Sequence, residues 1–153
     1  MPCLRSPRSK ALPGTSKRTF PYRATAPGNP ATLSPGLPVV LHGPTAWIPV
    51  YGLVDSGASD TLIPYDLMSF LGISEANCQI EPCETAGGPT DQYVWPPGIE
   101  VNVQQMARKV AVKASFTKGL PPRVVLLGRK DFFGQFRVEI DERAQTFSLD
   151  PYD

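Results

Sequence analysis

A chain of 153 residues, 41% apolar and 19% charged, is long enough to bury one core, and its formal net charge of +1 excludes a molecule held by bulk electrostatics to nucleic acid or an anionic surface. Eighteen prolines and thirteen glycines exclude a helical bundle and point to short strands joined by turns. Three cysteines, Cys3, Cys78 and Cys83, with a single histidine, His42, are too few for a disulfide scaffold or a zinc site, so they read as free thiols, a Cys78 to Cys83 bridge being the alternative.

Residues 1 to 18, MPCLRSPRSKALPGTSKR, are basic, rich in Ser and Pro and without periodicity, which predicts a disordered tail and a folded domain over 19–153. No Asp or Glu precedes Asp55. The composition also fits an organelle transit peptide, whereas a nucleic-acid arm is disfavoured because no aromatic residue interleaves the charges. No apolar run approaches the roughly 18 residues of a membrane span, and no apolar signal-peptide core follows the start. No membrane partner is expected, and the cytoplasm is the expected compartment, with organelle targeting by the arm left open.

Beyond the tail, "LPVVLHG" and "AWIPVYGLV" flank Gly43-Pro44-Thr45, the chemistry of a hairpin. "PYDLMSFLG" places Leu67 and Leu71 one helical turn apart before Gly72, which predicts a short helix. "IEVNVQ" and "KVAVKASF" alternate as strands, "RVVLLG" reads as a strand buried on both faces, and "FRVEID" and "TFSLD" form a second hairpin around residues 141–145. Trp47 and Trp95 read as core or groove-lining aromatics. The fold class is all-β with one or two short helices.

Within this pattern "GLVDSGASDTLIP" places a carboxylate, Asp55, directly after Leu53-Val54, where an unpaired buried charge is costly. Ser56 and Gly57 allow a sharp turn and Ala58 adds little bulk, so a second copy of the loop can approach closely. Two carboxylates about 3 Å apart cannot both ionise; the pair shares a proton, leaving one as base and one as acid. A water between them can attack a carbonyl whose oxygen is protonated, chemistry that needs neither metal nor cofactor.

The apolar-apolar-Asp-Ser-Gly-Ala pattern resembles the active-site motif of retroviral-type, retropepsin-like aspartic proteases. Downstream, "VVLLGRKDFFGQFRVEIDERAQTF" is similar to the apolar-apolar-Gly-Arg strand-to-helix segment that closes that fold, and Ala86-Gly87-Gly88-Pro89 resembles the tip of its flap hairpin. The resemblance spans about residues 37 to 150, and the segment from Leu126 looks closest to bacterial members.

That resemblance implies a closed acid-protease barrel with a flap, acting as a homodimer on an extended peptide or protein substrate, since this chain carries one Asp-Ser-Gly. It implies that Asp55 is catalytic, that Ser56, Gly57 and Ala58 support its loop, and that residues 86–89 close over substrate. Gly128 and Arg129 would brace the loop, Arg129 pairing with Asp60 or another acid, because Ser59 stands where the family carries its acid. A methyl rather than a hydroxyl at Ala58 predicts an activity optimum nearer neutral than that of a gastric-type enzyme.

Blander readings stand beside these. Asp55 could be a strand-end turn acid, Asp66 and Asp91 are turn or cap acids, and a serine nucleophile at Ser56 or Ser59 lacks a base, because His42 sits at a turn. Phe132, Phe133 and Phe136 are expected to seat a terminal helix in the core. The alternative function is a catalytically silent dimeric module that binds peptide or serves as a scaffold.

Overall fold

The computed structural model describes residues 16–24, 32–85 and 87–152, and these fold almost entirely into strands. In chain order they are β1 (Arg18–Pro21), β2 (Arg23–Ala24), β3 (Leu33–Ser34), β4 (Gly36–His42), β5 (Trp47–Val54), β6 (Leu62–Pro64), the helical turn α1 (Leu67–Phe70), β7 (Gln79–Thr85), β8 (Gly88–Val103), β9 (Arg108–Thr117), β10 (Val124–Leu127), β11 (Phe136–Asp141) and β12 (Thr146–Pro151). Most of the expected tail, residues 1–15, lies outside the described residues; Arg18 already opens β1.

Seven strands pair in the order β4-β5-β10-β6-β9-β8-β7, and β4 also pairs with β8, which closes the sheet on itself. Closure covers the edge of β4 at residues 40–42 that an open sheet would offer to other chains, while β7 keeps one unpaired edge among the described residues. The alternation in β5 explains its place: Ile48, Val50 and Val54 turn inward against Leu37, Val39 and Leu41 of β4, while Trp47 turns out. Trp47 is therefore not a core or groove residue; it is 68% exposed and lies flat on His42, ring centroids 4.2 Å apart.

β8 is sixteen residues long and does two jobs because it is interrupted. Between Trp95 and Ile99 its register shifts against β9, at Pro96-Pro97-Gly98, residues that cannot hold a regular central ladder. Gly98 has φ of +72°, and a Cβ there would meet the Val112 carbonyl oxygen at 2.9 Å. Before the bulge β8 pairs with β7 in a long hairpin from Gln79↔Val94 to Thr85↔Gly88; after it, β8 seals the barrel against β4 through His42↔Glu100, Leu41↔Val101 and Val40↔Asn102.

Both sequence-predicted hairpins are present, β4 to β5 across Gly43–Ala46 and β11 to β12 across Glu142–Gln145. The predicted helix is a single turn ended by Gly72 at φ of +86°. The helix expected after Gly128 does not form. Residues 129–135 are successive turns in which the Phe132 and Phe133 amides both donate to the Gly128 carbonyl, and Phe132 and Phe136 are buried in the core with ring centroids 5.0 Å apart. A glycine at 134 and the demand to bury both rings favour a compact turn over a helix.

A second sheet, β1-β12-β11, fastens the start of the described chain to its end, with Phe20 stacked on Phe147 at 5.3 Å.

Candidate active site

The parallel pairing of β10 with β5 sets the site. Leu127 lies opposite Val54, so the two strands end together and deliver Asp55 and Gly128 side by side. Parallel strands need a crossover between them, and the intervening chain supplies β6 to β9. The Asp55 amide donates to the Leu127 carbonyl (3.1 Å), the Arg129 amide to the Ala58 carbonyl (2.9 Å) and the Lys130 amide to the Ser59 carbonyl (2.9 Å). The loop after Asp55 is thus laced to the segment after β10 along its length.

Asp55 is half-buried. Its Oδ1 accepts the Gly57 amide at 2.9 Å, and its carbonyl accepts the Ala58 amide at 3.2 Å, so the loop folds around the carboxylate. Among the described residues, no hydrogen bond reaches Oδ2. A cleft of about 850 Å³ is lined by Asp55, Gly57 and Ala58 from the loop after β5 and by Gly87, Gly88 and Pro89 from the tip of the β7–β8 hairpin. Leu62, Leu120 and Leu126 give it apolar surface, and Glu84 and Lys118 add one charge of each sign.

The tip of the β7–β8 hairpin is open. Gly88 has φ of +107° and a Cβ there would touch nothing within 4 Å, while the Thr85 hydroxyl donates to the Gly88 carbonyl at 2.8 Å and closes the turn. Ala86 lies outside the described residues. Ser56 is exposed and does not line the cleft. Trp95 and Tyr93 pack against the core instead, Tyr93 tilted on Tyr65 at 5.1 Å.

The expected pairing of Arg129 with Asp60 is not found. Arg129 is exposed and its guanidinium donates to the Ser59 hydroxyl at 3.4 Å, whereas Asp60 faces Lys113 (3.7 Å) and Lys130 (3.9 Å). A hydroxyl at position 59 offers Arg129 an acceptor but no charge, so this contact is weak. The fastening is made deeper, by residues that sequence reasoning missed. Thr61, fully buried, accepts the Gly128 amide at 3.1 Å and donates to Asp131 Oδ1 at 2.6 Å. Asp131 also accepts the Phe132 amide at 2.8 Å and, through Oδ2, the Lys113 amide at 3.1 Å. Three donors on one carboxylate compensate its partial burial. No local signal marks this set, since Thr61, Lys113 and Asp131 meet only through the sheet.

The Lys113 ammonium, hydrogen-bonded to Glu81 at 2.9 Å, holds that carboxyl below its ordinary range, and Glu81 in turn raises Lys113. Burial first, then Asp60, pushes the Cys83 thiol up. Tyr65 is pushed up to about 12 by its hydrogen bond to Glu75. Among the described residues no group of three or more His, Cys, Asp or Glu is placed to hold a metal ion, and no helix is long and apolar enough to cross a membrane.

Comparison with protein-family models and with curated proteins finds no match. Among solved structures, a retropepsin-like aspartic protease from Rickettsia conorii superposes with a TM-score of 0.55 at 16% identity, covering 88% of this chain and 92% of its own. The protease of simian foamy virus (mac) superposes with a TM-score of 0.40 at 24% identity, over 63% of this chain and 89% of its own. With the Rickettsia structure matched along nearly its whole length, the chain has the retropepsin-like fold.

Proposed function

We propose that this chain is an aspartic endopeptidase whose catalytic unit is a homodimer, each copy contributing Asp55 to a dyad that activates water for attack on a peptide bond. The observation that carries the reading is that Asp55 and the glycine-rich hairpin tip line one cleft, in a chain with the retropepsin-like fold.

The chemistry follows from charge. One copy supplies a single Asp-Ser-Gly, so a second must bring the other carboxylate, and the contact surface must include the Asp55 loop. With one proton shared between the two acids, the ionised member takes a proton from water as it attacks the carbonyl carbon. The protonated member donates to the carbonyl oxygen, and the proton then passes to the leaving nitrogen. Gly57 leaves room on the floor, and the hairpin tip at Gly87 to Pro89 covers an extended peptide and excludes solvent.

The test is incubation of the wild type and Asp55→Asn with a denatured protein at several pH values, with oligomeric state measured on the same samples. Cleavage by the wild-type dimer alone is expected. Equal cleavage by both proteins ends the catalytic reading, and a wild-type dimer that binds but never cleaves identifies a peptide-binding module instead.

A further inference from the structure

The flap hairpin and the catalytic loop are not neighbours in the sheet: among the described residues β7 pairs only with β8, and the loop after Asp55 is laced to the segment after β10. Yet a carboxylate from each converges on one ammonium. Lys113, from β9, places Nζ 2.9 Å from Glu81 Oε2 on β7 and 3.7 Å from Asp60 Oδ2 in the loop. Gln92, buried on β8, donates to the same Glu81 oxygen at 3.2 Å and fixes its orientation. The other end of Lys113 is tied as well, its amide donating to Asp131, the carboxylate that holds Thr61 and through it the Gly128 amide.

An isolated exposed ion pair contributes little, because solvent screens it and ordering two long side chains costs entropy. This arrangement differs in that the lysine's backbone is already fixed in a central strand, its side chain is one-third exposed, Glu81 two-fifths and Asp60 one-fifth, so part of the ordering is done by the fold. We propose that Lys113 is a positioning residue that ties the flap to the catalytic loop, its ammonium joining Glu81 to Asp60 while its amide holds Asp131. Displacing the root of β7 then loads the Asp60 segment, and substrate contact at the hairpin steadies the loop that carries Asp55. The catalytic consequence rests on the proposed role of Asp55, whereas the mechanical tie belongs to the fold alone.

The discriminating variant is Glu81→Gln in the full chain, because Glu81 touches the flap root and Lys113 but not the catalytic loop. Amide hydrogen exchange is read in peptides spanning 79–85 and 55–61. Faster exchange by about three- to tenfold in both segments is expected, with Lys113→Met doing the same and Lys113→Arg restoring protection. Exchange that rises in 79–85 alone, or in neither segment, overturns the tie. With a cleavable substrate, the same variants should lower kcat more than they raise KM. Coupled exchange in a protein that cleaves nothing keeps the tie and removes the enzyme reading; cleavage with uncoupled exchange and an unchanged kcat does the reverse.

Discussion

Gly128 lies against the backbone of Asp60 and Thr61 so closely that a single methyl group there would stand 2.7 Å from the Thr61 amide nitrogen and nearer still to the Asp60 carbonyl. The two connections leaving β5 and β10 therefore touch backbone to backbone, at the place where the candidate catalytic loop is held. Gly128→Ala is expected to cost about 1–3 kcal/mol in chemical denaturation, the range for forced overpacking. Gly119→Ala makes the control, since Gly119 sits at φ of +91° with open space around it and carries only the conformational cost. Equal losses in the two variants would contradict the close-approach account.

The hydroxyl of Thr61, a fully buried residue, joins the Gly128 amide to the partly buried Asp131. Thr61→Val keeps the volume and removes the link, leaving a buried amide without its acceptor and a carboxylate short of one donor. A loss of about 1–3 kcal/mol is expected, seen as an earlier unfolding midpoint with an unchanged denaturant slope. Thr61→Ser should recover most of it.

If Asp55 acts as one half of a shared site, Asp55→Asn lowers peptide cleavage by about 10³- to 10⁴-fold while the melting temperature moves little. Mixing the variant with an equal amount of wild type and allowing subunits to exchange leaves about one quarter of dimers with both acids. Activity should then fall below that of the wild-type share incubated alone; activity equal to that share would mean that each copy works by itself.

Glu81 and Lys113 give stability a pH dependence of known sign. The Glu81 carboxyl is lowered by Lys113, so its contribution is complete above the unfolded value, about 4.3, and is lost as pH falls through the depressed folded value. Lys113 is raised by Glu81, so its contribution is complete below about 10.4 and is lost as pH rises through the elevated folded value. Melting temperature against pH in Glu81→Gln should show a shallower acid decline than the wild type. An identical acid limb in both proteins rules the pair out as its source.

The hairpin tip depends on backbone freedom. Gly88 holds φ of +107°, a region that β-branched residues avoid. Gly88→Val should leave the barrel's far-ultraviolet circular dichroism and melting temperature close to wild type and reduce kcat/KM by about tenfold, because the tip no longer settles over substrate. A variant with full activity would remove the hairpin from the proposed mechanism.

Much of this was legible in the chain itself. Alternation in β5, β8 and β9, the Gly43–Thr45 turn and the continuous apolar run of β10 are local signals, and each describes an element that forms. Asp55 and Gly87-Gly88-Pro89 were separately recognisable, and the fold brings them to one cleft. Besides the partner of Arg129, which is Ser59 and not Asp60, three things escaped. Trp47 was placed inside by its size, although the phase of β5 turns it out. The spacing of Phe132 and Phe136 suits a helix equally well as a turn that buries both rings. The Thr61–Asp131 bond and the meeting of Lys113 with Glu81 and Asp60 join residues distant in the chain, and only closure of the sheet decides that they touch.

The Pro96–Gly98 interruption has a consequence for how such a molecule can change. Every strand pairing that seals β4 against β8 involves residues beyond that break, and every pairing of β7 with β8 involves residues ahead of it. The outer part of the arm, residues 82–91, pairs with no third strand among the described residues, so it can be lengthened, shortened or exchanged without redrawing the seam, and selectivity for what enters the cleft is free to drift while the barrel beneath it stays the same.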